Sequence, residues 1–239
     1  MATNYGVTAT PSYITSGLIF DIDPANPSCF TPGNTTCTNL VTSGNVSGAA
    51  GTPAAGAHVP NTAFFPVYNA AYGGVFDFAG GKGMNCDEDL GIPVDVTLEA
   101  WVYKNSTGGQ YLYDGRNNGG SWFLTNYTGY NYNCHDTLRF NFNGPPYNAS
   151  HPSFINKWNH VVLVSNASGS NIYINGTLNI STYNSSFVER LGVNFRIGTR
   201  YTTVSHWTGL MGPIRFYNRV LTGKEIAQNF VATRSRFSV

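Results

Sequence analysis

An all-β sandwich of jelly-roll type is the fold class this sequence predicts, and three observations predict it. Apolar and polar residues alternate with a period of two over many short segments, as strands require. Asn175-Gly176, between Ile172-Tyr173-Ile174 and Thr177-Leu178-Asn179-Ile180, signals a type I′ hairpin, because both turn positions need positive φ. Helix signals gather in one C-terminal stretch. There Thr222 and Glu225 form a capping box, with Leu221 and Ile226 placed as its hydrophobic staple.

The elements follow in order. Residues 1–15 are polar and read as an N-terminal arm; residues 16–239 read as one domain, since no second core or linker stands out. Leu18-Ile19-Phe20-Asp21-Ile22-Asp23 is the first strand, ended by Pro24 and Pro27. Residues 24–73 are rich in Gly, Pro, Ala, Asn and Thr and predict a long loop excursion with one or two short strands. Gly74-Val75-Phe76-Asp77-Phe78 is a strand, and Asp87-Glu88-Asp89 is placed in the loop after it.

Residues 95–103 predict a strand with Val96, Leu98, Ala100 and Val102 on one face and Thr97, Glu99, Trp101 and Tyr103 on the other. Large residues on both faces are expected of a strand covered on each side or of one bearing a ligand face. Tyr111 to Asp114 and Ser121 to Leu124 are strands joined by the turn at 115–120. Leu138, Phe140 and Phe142 alternate with polar neighbours. Strands are expected over 158–165 and 171–180, and a helix over 223–232 that buries Ile226 and Phe230.

Composition narrows the function classes. Only 10% of the 239 residues are charged, so solubility rests on amides and hydroxyls. Such a surface suits neutral polar ligands such as glycans, or contacts within an assembly where few charges need desolvating. The net charge is +1 with no basic tract beyond Arg234-Ser235-Arg236, so no nucleic-acid partner is expected. No apolar run is long enough for membrane insertion. The N-terminus shows no signal peptide.

Four cysteines are present. Cys29 and Cys37 flank a short loop and are expected to close it as a disulfide, the alternative being thiols in a reducing compartment. Cys86 and Cys134 are the remaining pair. Sequons stand at Asn34, Asn45, Asn105, Asn126, Asn148, Asn166, Asn175, Asn179 and Asn184; Asn175 is also explained as a turn residue.

The strand order resembles laminin-G-like domains of the concanavalin A-like lectin/glucanase superfamily. The resemblance rests on Gly17 to Asp23, Gly74 to Phe78, Thr97 to Val102, Trp158-Asn159-His160-Val161-Val162, Tyr173 to Gly176, Arg196-Ile197-Gly198 and the ending through Tyr217-Asn218-Arg219-Val220-Leu221. It covers about residues 16–233 and implies a concanavalin A-like sandwich of two antiparallel sheets with one short C-terminal helix. It also implies a ligand, where there is one, on the concave face or at the loop rim. The leaderless, Asn/Gly/Tyr-rich chain is similar to virion surface proteins of large DNA viruses and tailed phages. That similarity implies a virion surface or extracellular location, with neighbouring capsid subunits and a homo-oligomer or larger assembly as partners.

Glucanases of the superfamily carry a Glu-x-Asp-x-Glu strand. Here Glu99 has Trp101 at the next same-face position, and Glu225 belongs to the capping box. A non-catalytic attachment or structural module is therefore the expectation, with a polysaccharide-active glycosidase or lyase as the alternative. His160 shares parity with Trp158, Val162 and Val164 and reads as a core residue. The family implies calcium at the sandwich rim; Asp87, Glu88 and Asp89 are the candidate ligands, with Asp114 at a strand end, while Asp21 and Asp23 are expected to cap loops.

Sugar binding needs flat aromatic faces flanked by amides and charged forks. Arg116, Asn117, Asn118, Trp122, Tyr127, Tyr130 and Tyr132 supply that mix in one segment. Arg200, Tyr201, His206 and Trp207 supply it in another. Trp101 and Trp158 are expected to pack.

Overall fold

The computed structural model describes residues 12–35, 37–41, 57–58, 65–92, 95–106, 110–114, 122–125, 137–141, 147–150, 155–182, 191–200 and 206–239. At 57–58, 85–92, 122–125, 137–141, 147–150, 180–182 and 191–194 it describes the backbone alone.

Strands are numbered in chain order. An eight-stranded sheet holds β1 (Leu18–Ile22), β4 (Val67–Asn69), β5 (Val75–Asp77), β7 (Val96–Lys104), β12 (Trp158–Asn166), β13 (Gly169–Ile174), β14 (Thr177–Thr182) and β16 (Gly209–Tyr217). Its order is β14-β13-β12-β7-β16-β5-β4, and β1 also pairs with β16, beyond the stretch that β5 takes. A six-stranded sheet holds β6 (Met84–Ile92), β8 (Gln110–Asp114), β9 (Trp122–Thr125), β10 (Thr137–Asn141), β11 (Tyr147–Ser150) and β15 (Leu191–Ile197), in the order β11-β10-β9-β8-β15-β6. A short ribbon pairs β2 (Cys37–Thr38) with β3 (Ala57–His58). The paired strands run antiparallel throughout these sheets.

The expected strands are present with small shifts of boundary. Asn175 and Gly176 have φ of 51° and 78°, as the hairpin demands. Asn175 Oδ1 accepts the His160 N–H at 2.9 Å, which ties the turn to β12. Pro213 interrupts a central strand, where a proline normally breaks the ladder. It is accommodated because the β7–β16 register shifts between Met211 and Ile214.

The core fills the space between the sheets. Phe20, Leu98, Val102, Leu163 and Phe216 from the larger sheet meet Leu112, Tyr113, Phe195 and Ile197 from the smaller. Phe20 touches Phe195 edge-on at 5.5 Å and stacks on Phe216 at 4.9 Å. Burying each such side chain stabilises the fold by roughly 1.5–3 kcal/mol.

The other face of the larger sheet is covered as well. Helix α1 (Gly223–Thr233) and a 3₁₀ turn at Arg234–Phe237 lie against it. Thr222 and Glu225 form the predicted capping box, and Leu221 and Ile226 are buried in one cluster. Trp101, Trp158 and Phe237 form a second cluster beneath the chain end, so both tryptophans pack as expected.

Two expectations are corrected. Cys29 and Cys37 are buried thiols not bonded to one another. The Thr38 N–H donates to the Cys29 carbonyl at 2.8 Å, so a backbone hydrogen bond closes the loop, and Cys37 Sγ faces Met84 Sδ at 3.9 Å. Asp87, Glu88 and Asp89 belong to β6 and not to a loop: Cys86 pairs with Phe195 and Asp89 with Val193 of β15, with a register shift between them.

Glycine contacts give a direct test of the close strand packing. Gly209 has φ of 142°, and a Cβ there would fall 2.0 Å from the Tyr103 carbonyl oxygen. Gly33 has φ of 98° and open space around it. Gly33→Ala is expected to cost about 1–2 kcal/mol from backbone strain alone. Gly209→Ala is expected to cost more than about 3 kcal/mol, because a backbone clash adds to the strain. Urea unfolding midpoints of the two variants check this; equal costs would refute the packing argument.

Candidate functional site

Two rows of residues, set by cross-strand register, cross the two sheets. The first lies beneath α1. In register, Asp21 of β1 stands opposite Arg215 of β16, and Arg215 stands opposite Glu99 of β7. Directly opposed residues on neighbouring strands share a face. The result is a row of alternating charge, with Arg215 Nε 3.2 Å from Asp21 Oδ1 and Arg215 Nη1 3.0 Å from Glu99 Oε1. All three residues are at most 2% exposed.

Neutral groups and one histidine complete the cluster. His160 Nε2 lies 3.3 Å from Glu99 Oε1. Asn229 of α1 donates to Glu99 Oε2 at 2.5 Å. The Tyr13 hydroxyl donates to Asp21 Oδ2 at 3.1 Å, and its ring lies 3.9 Å from the Arg215 guanidinium carbon. Residues 12–16 form a strap over the cluster. The Ile14 N–H donates to Asn229 Oδ1 at 2.8 Å, the Tyr217 hydroxyl donates to the Ile14 carbonyl at 3.1 Å, and Arg219 Nε donates to the Ser16 carbonyl at 2.9 Å.

The two carboxylates respond differently to this burial. Burial pushes Glu99 up, but His160, Arg215 and Asn229 outweigh it and hold the carboxyl at about 2. Burial prevails at Asp21, whose carboxyl is raised despite Arg215 and Tyr13. One guanidinium shared between two carboxylates favours the one with more hydrogen-bond donors. Burial opposes the Arg215 charge, yet Asp21 and Glu99 raise its affinity for the proton.

These residues correct part of the sequence reading. Asp21 does not cap a loop; it is an internal ion partner. Asp23 caps the turn after β1 as expected, its Oδ1 accepting the Ala25 N–H at 3.0 Å, and it also pairs with Arg236, whose Nη1 lies 2.7 Å from Asp23 Oδ1. His160 is fully buried, as its parity predicted. Asp21, Arg215, Tyr217, Asn229 and Tyr13 were not foreseen as one group. A signal existed: a lone Glu in Val-Thr-Leu-Glu-Ala-Trp-Val and a lone Arg in Pro-Ile-Arg-Phe-Tyr each call for a cross-strand partner.

The second row crosses the six-stranded sheet. Arg196 of β15 is in register with Asp114 of β8 on one side and Asn85 of β6 on the other. Asp114 is in register with Trp122 of β9, and Trp122 with Asn141 of β10. The next row holds Met84, Ile197 and Tyr113, which belong to the core. Alternation therefore turns Arg196 and Asp114 away from the core. Arg196 is half-buried, with Nη1 donating to the Arg200 carbonyl at 3.3 Å, and Asp114 is fully covered. Adjacent strands lie about 4.8 Å apart, so five positions span about 19 Å.

The predicted rim is only partly described. Arg116, Asn117, Asn118, Tyr127, Tyr130, Tyr132 and Tyr201 lie outside the described residues. Trp122 occupies the second row by register. Arg200 and His206 are half-buried near the end of β15 and before β16. Trp207 is a correction: it is fully buried in the inter-sheet core, and its N–H donates to the Gly198 carbonyl at 2.8 Å. The hydrogen bond folds the segment back onto the sandwich, which turns the indole inward. Among the described residues, no three His, Cys, Asp or Glu side chains are grouped as a metal would need.

Comparison with known proteins fits this architecture. Residues 81–227 match the model of the concanavalin A-like lectin/glucanases superfamily in its laminin-G form, and the chain belongs to that family. Searched against curated proteins, the sequence gives no match. Domain 4 of AbnA, an extracellular GH43 arabinanase from Geobacillus stearothermophilus solved with arabinotriose, superposes with a TM-score of 0.59 at 17% identity. That alignment covers 90% of this chain and 99% of the other. Trypanosoma rangeli sialidase in complex with the inhibitor DANA gives a TM-score of 0.60 at 15% identity, over 94% of this chain but 35% of the sialidase. The receptor-binding domain of botulinum neurotoxin type G gives 0.57 at 12% identity, over 90% of this chain and 51% of that one. At these identities the likeness is one of fold.

Stability tests follow from the burial. Arg215→Met is expected to cost about 3–5 kcal/mol, because it leaves two carboxylates buried without a cation. Trp207→Ala is expected to cost about 3–5 kcal/mol as a core truncation, measured by chemical denaturation.

The depressed Glu99 carboxyl has a definite pH sign. Its contribution to stability is fully present above the ordinary value of 4.5 and is lost as pH falls through about 2. The wild type should therefore lose about 3 kcal/mol across that window from this group. Glu99→Gln should lack that component of the acid limb of a stability profile; an unchanged acid limb would refute the assignment.

Proposed function

We propose that this member of the concanavalin A-like superfamily is a non-catalytic glycan-binding module displayed at a surface. The observation that carries the reading is the transverse row Asn85, Arg196, Asp114, Trp122 and Asn141 on the six-stranded sheet. Amides, a guanidinium and an indole at neighbouring register positions are the residue types that recognise sugar hydroxyls and the apolar side of a pyranose, with the covered Asp114 between Arg196 and Trp122 in the row. A span of about 19 Å suits an oligosaccharide of several units more than a single terminal sugar. The arabinanase domain, solved with arabinotriose, is a fold relative whose own ligand is of that class. A place on a virion or other extracellular surface, among copies of the chain, belongs to the same proposal. So does a calcium ion held near Asp87, Glu88 and Asp89.

The burial of Glu99 supports the non-catalytic part of this reading. A glycosidase needs two carboxyl groups facing a sugar across a cleft. Glu99 is sealed beneath α1, and its nearest carboxylate partner, Asp21, is bridged to it by Arg215. Neither group has a path to a substrate in that position.

A glycan array followed by titration calorimetry tests the proposal. Trp122→Ala and Arg196→Ala are expected to keep the fold and to weaken oligosaccharide binding by about 1–3 kcal/mol. Binding that survives both substitutions, or an array on which nothing is retained, would overturn the reading. Release of reducing ends by the purified protein would overturn its non-catalytic part.

A further inference from the structure

The turn between β4 and β5, on the larger sheet, carries an exposed ring on a strained backbone. Tyr72 lies in that turn, Ala71–Gly73, with φ of 54° and ψ of 30°. A bulky residue in this left-handed region is a genuine outlier, and a glycine would adopt it freely. The tyrosine ring is therefore held there at an energetic cost. Strain of this kind gathers at ligand clamps, where the surrounding structure over-determines it. A second cost lies against it: Trp158 Nε1 is buried without a hydrogen-bond partner among the described residues.

Many contacts fix this turn. Asn69 Oδ1 accepts the Ala71 N–H at 2.9 Å, and the Gly74 N–H donates to the Ala71 carbonyl at 2.9 Å. Arg236 Nε donates to the Tyr72 carbonyl at 2.6 Å, and its Nη2 donates to the Gly74 carbonyl. The Nη1 of the same guanidinium is held by both oxygens of Asp23, at 2.7 and 2.9 Å. Phe237 stacks on the Tyr72 ring at 6.3 Å, and Trp158 meets it edge-on at 5.1 Å. Phe237 is buried, whereas Tyr72 is 37% exposed. One face of the Tyr72 ring thus rests on Phe237, and the other meets solvent.

A rigid, exposed aromatic face can stack on a flat apolar surface at little entropic cost. The neighbours of Tyr72 in the chain, Ala70, Ala71 and Gly73, are exposed and small. A single ring among them is too little for a subunit contact, which needs about 800 Å² from each partner. It matches the apolar face of one pyranose. Asn156 and Lys157 are exposed and immediately precede Trp158, so an amide and an ammonium at that end of β12 can bond sugar hydroxyls. We propose that Tyr72 is the stacking platform of a second carbohydrate site, on the sheet opposite Arg196 and Trp122, that takes a single pyranose unit. Arg236 is its positioning residue, because it holds the turn that presents the ring.

Titration of the isotope-labelled full chain with methyl β-glucoside and methyl β-galactoside tests the site, read by the amide NMR shifts of Gly73 and Gly74. These amides belong to the larger sheet, so they report this site apart from the row on the six-stranded sheet. At least one glycoside is expected to shift them saturably, with a dissociation constant in the millimolar range. Tyr72→Phe keeps the ring and should bind within about twofold of the wild type, while Tyr72→Ala should bind about tenfold or more weakly. Tyr72→Gly relieves the backbone strain and should lose the same binding, so it decides if Tyr72→Ala does not fold. Shifts absent with both glycosides, or a ring-less variant that binds as tightly as the wild type, would overturn the proposal. So would a wild-type dimer that Tyr72→Ala dissolves, since the platform would then be a subunit contact.

Discussion

Arg215 lies between two carboxylates on neighbouring strands, and the outer layer of the larger sheet is organised around that contact. Three buried charges would be intolerable singly, because each has lost its hydration. In register they neutralise one another in part, and their remaining valences bind the strap and α1. The covering layer is thus fixed by polar contacts at its centre and by Trp101, Trp158, Phe237, Ile226 and Leu221 around it. Hydrophobic burial supplies most of the stabilisation, while the charged row dictates where the chain ends sit. A helix slid by one turn would separate Asn229 from Glu99 and leave the carboxylate underdonated.

The two sheets put one pattern to different uses. In β7 the outward residues lie under α1, and in β15 and β8 the outward residues include Arg196 and Asp114. Both rows arise from strand alternation and antiparallel register. The first row is a structural salt-bridge row because α1 and the strap cover it. This explains why glutamate in a β7-like strand does not imply hydrolysis here: the catalytic reading needs an open face, and this face is closed by the chain's own C-terminus.

Much of the fold was legible in the sequence. β7, β12 and the 169–182 hairpin follow from alternation and from Asn175-Gly176. α1 follows from the capping box between Thr222 and Glu225, a local signal that needs no tertiary partner. The burial of His160 followed from its parity. The site was less legible. Trp207 has the composition of a binding loop but packs in the core, because a residue beside a polar segment can still turn inward once its backbone bonds to Gly198. Asp87 to Asp89 look like a loop cluster, yet cross-strand pairing with β15 makes them a strand.

What the sequence by itself determined is everything governed by neighbours within a few residues: strand periodicity, the hairpin, the helix cap and the parity of each face. What only the tertiary structure decided is which distant strands lie side by side. Asp21, Glu99 and Arg215 stand far apart in the chain and meet only because β16 pairs with both β1 and β7. Arg196, Asp114 and Trp122 meet because β15 crosses back beside β8. Register between remote strands is set by the summed burial of a whole face, and no local run of residues encodes that sum.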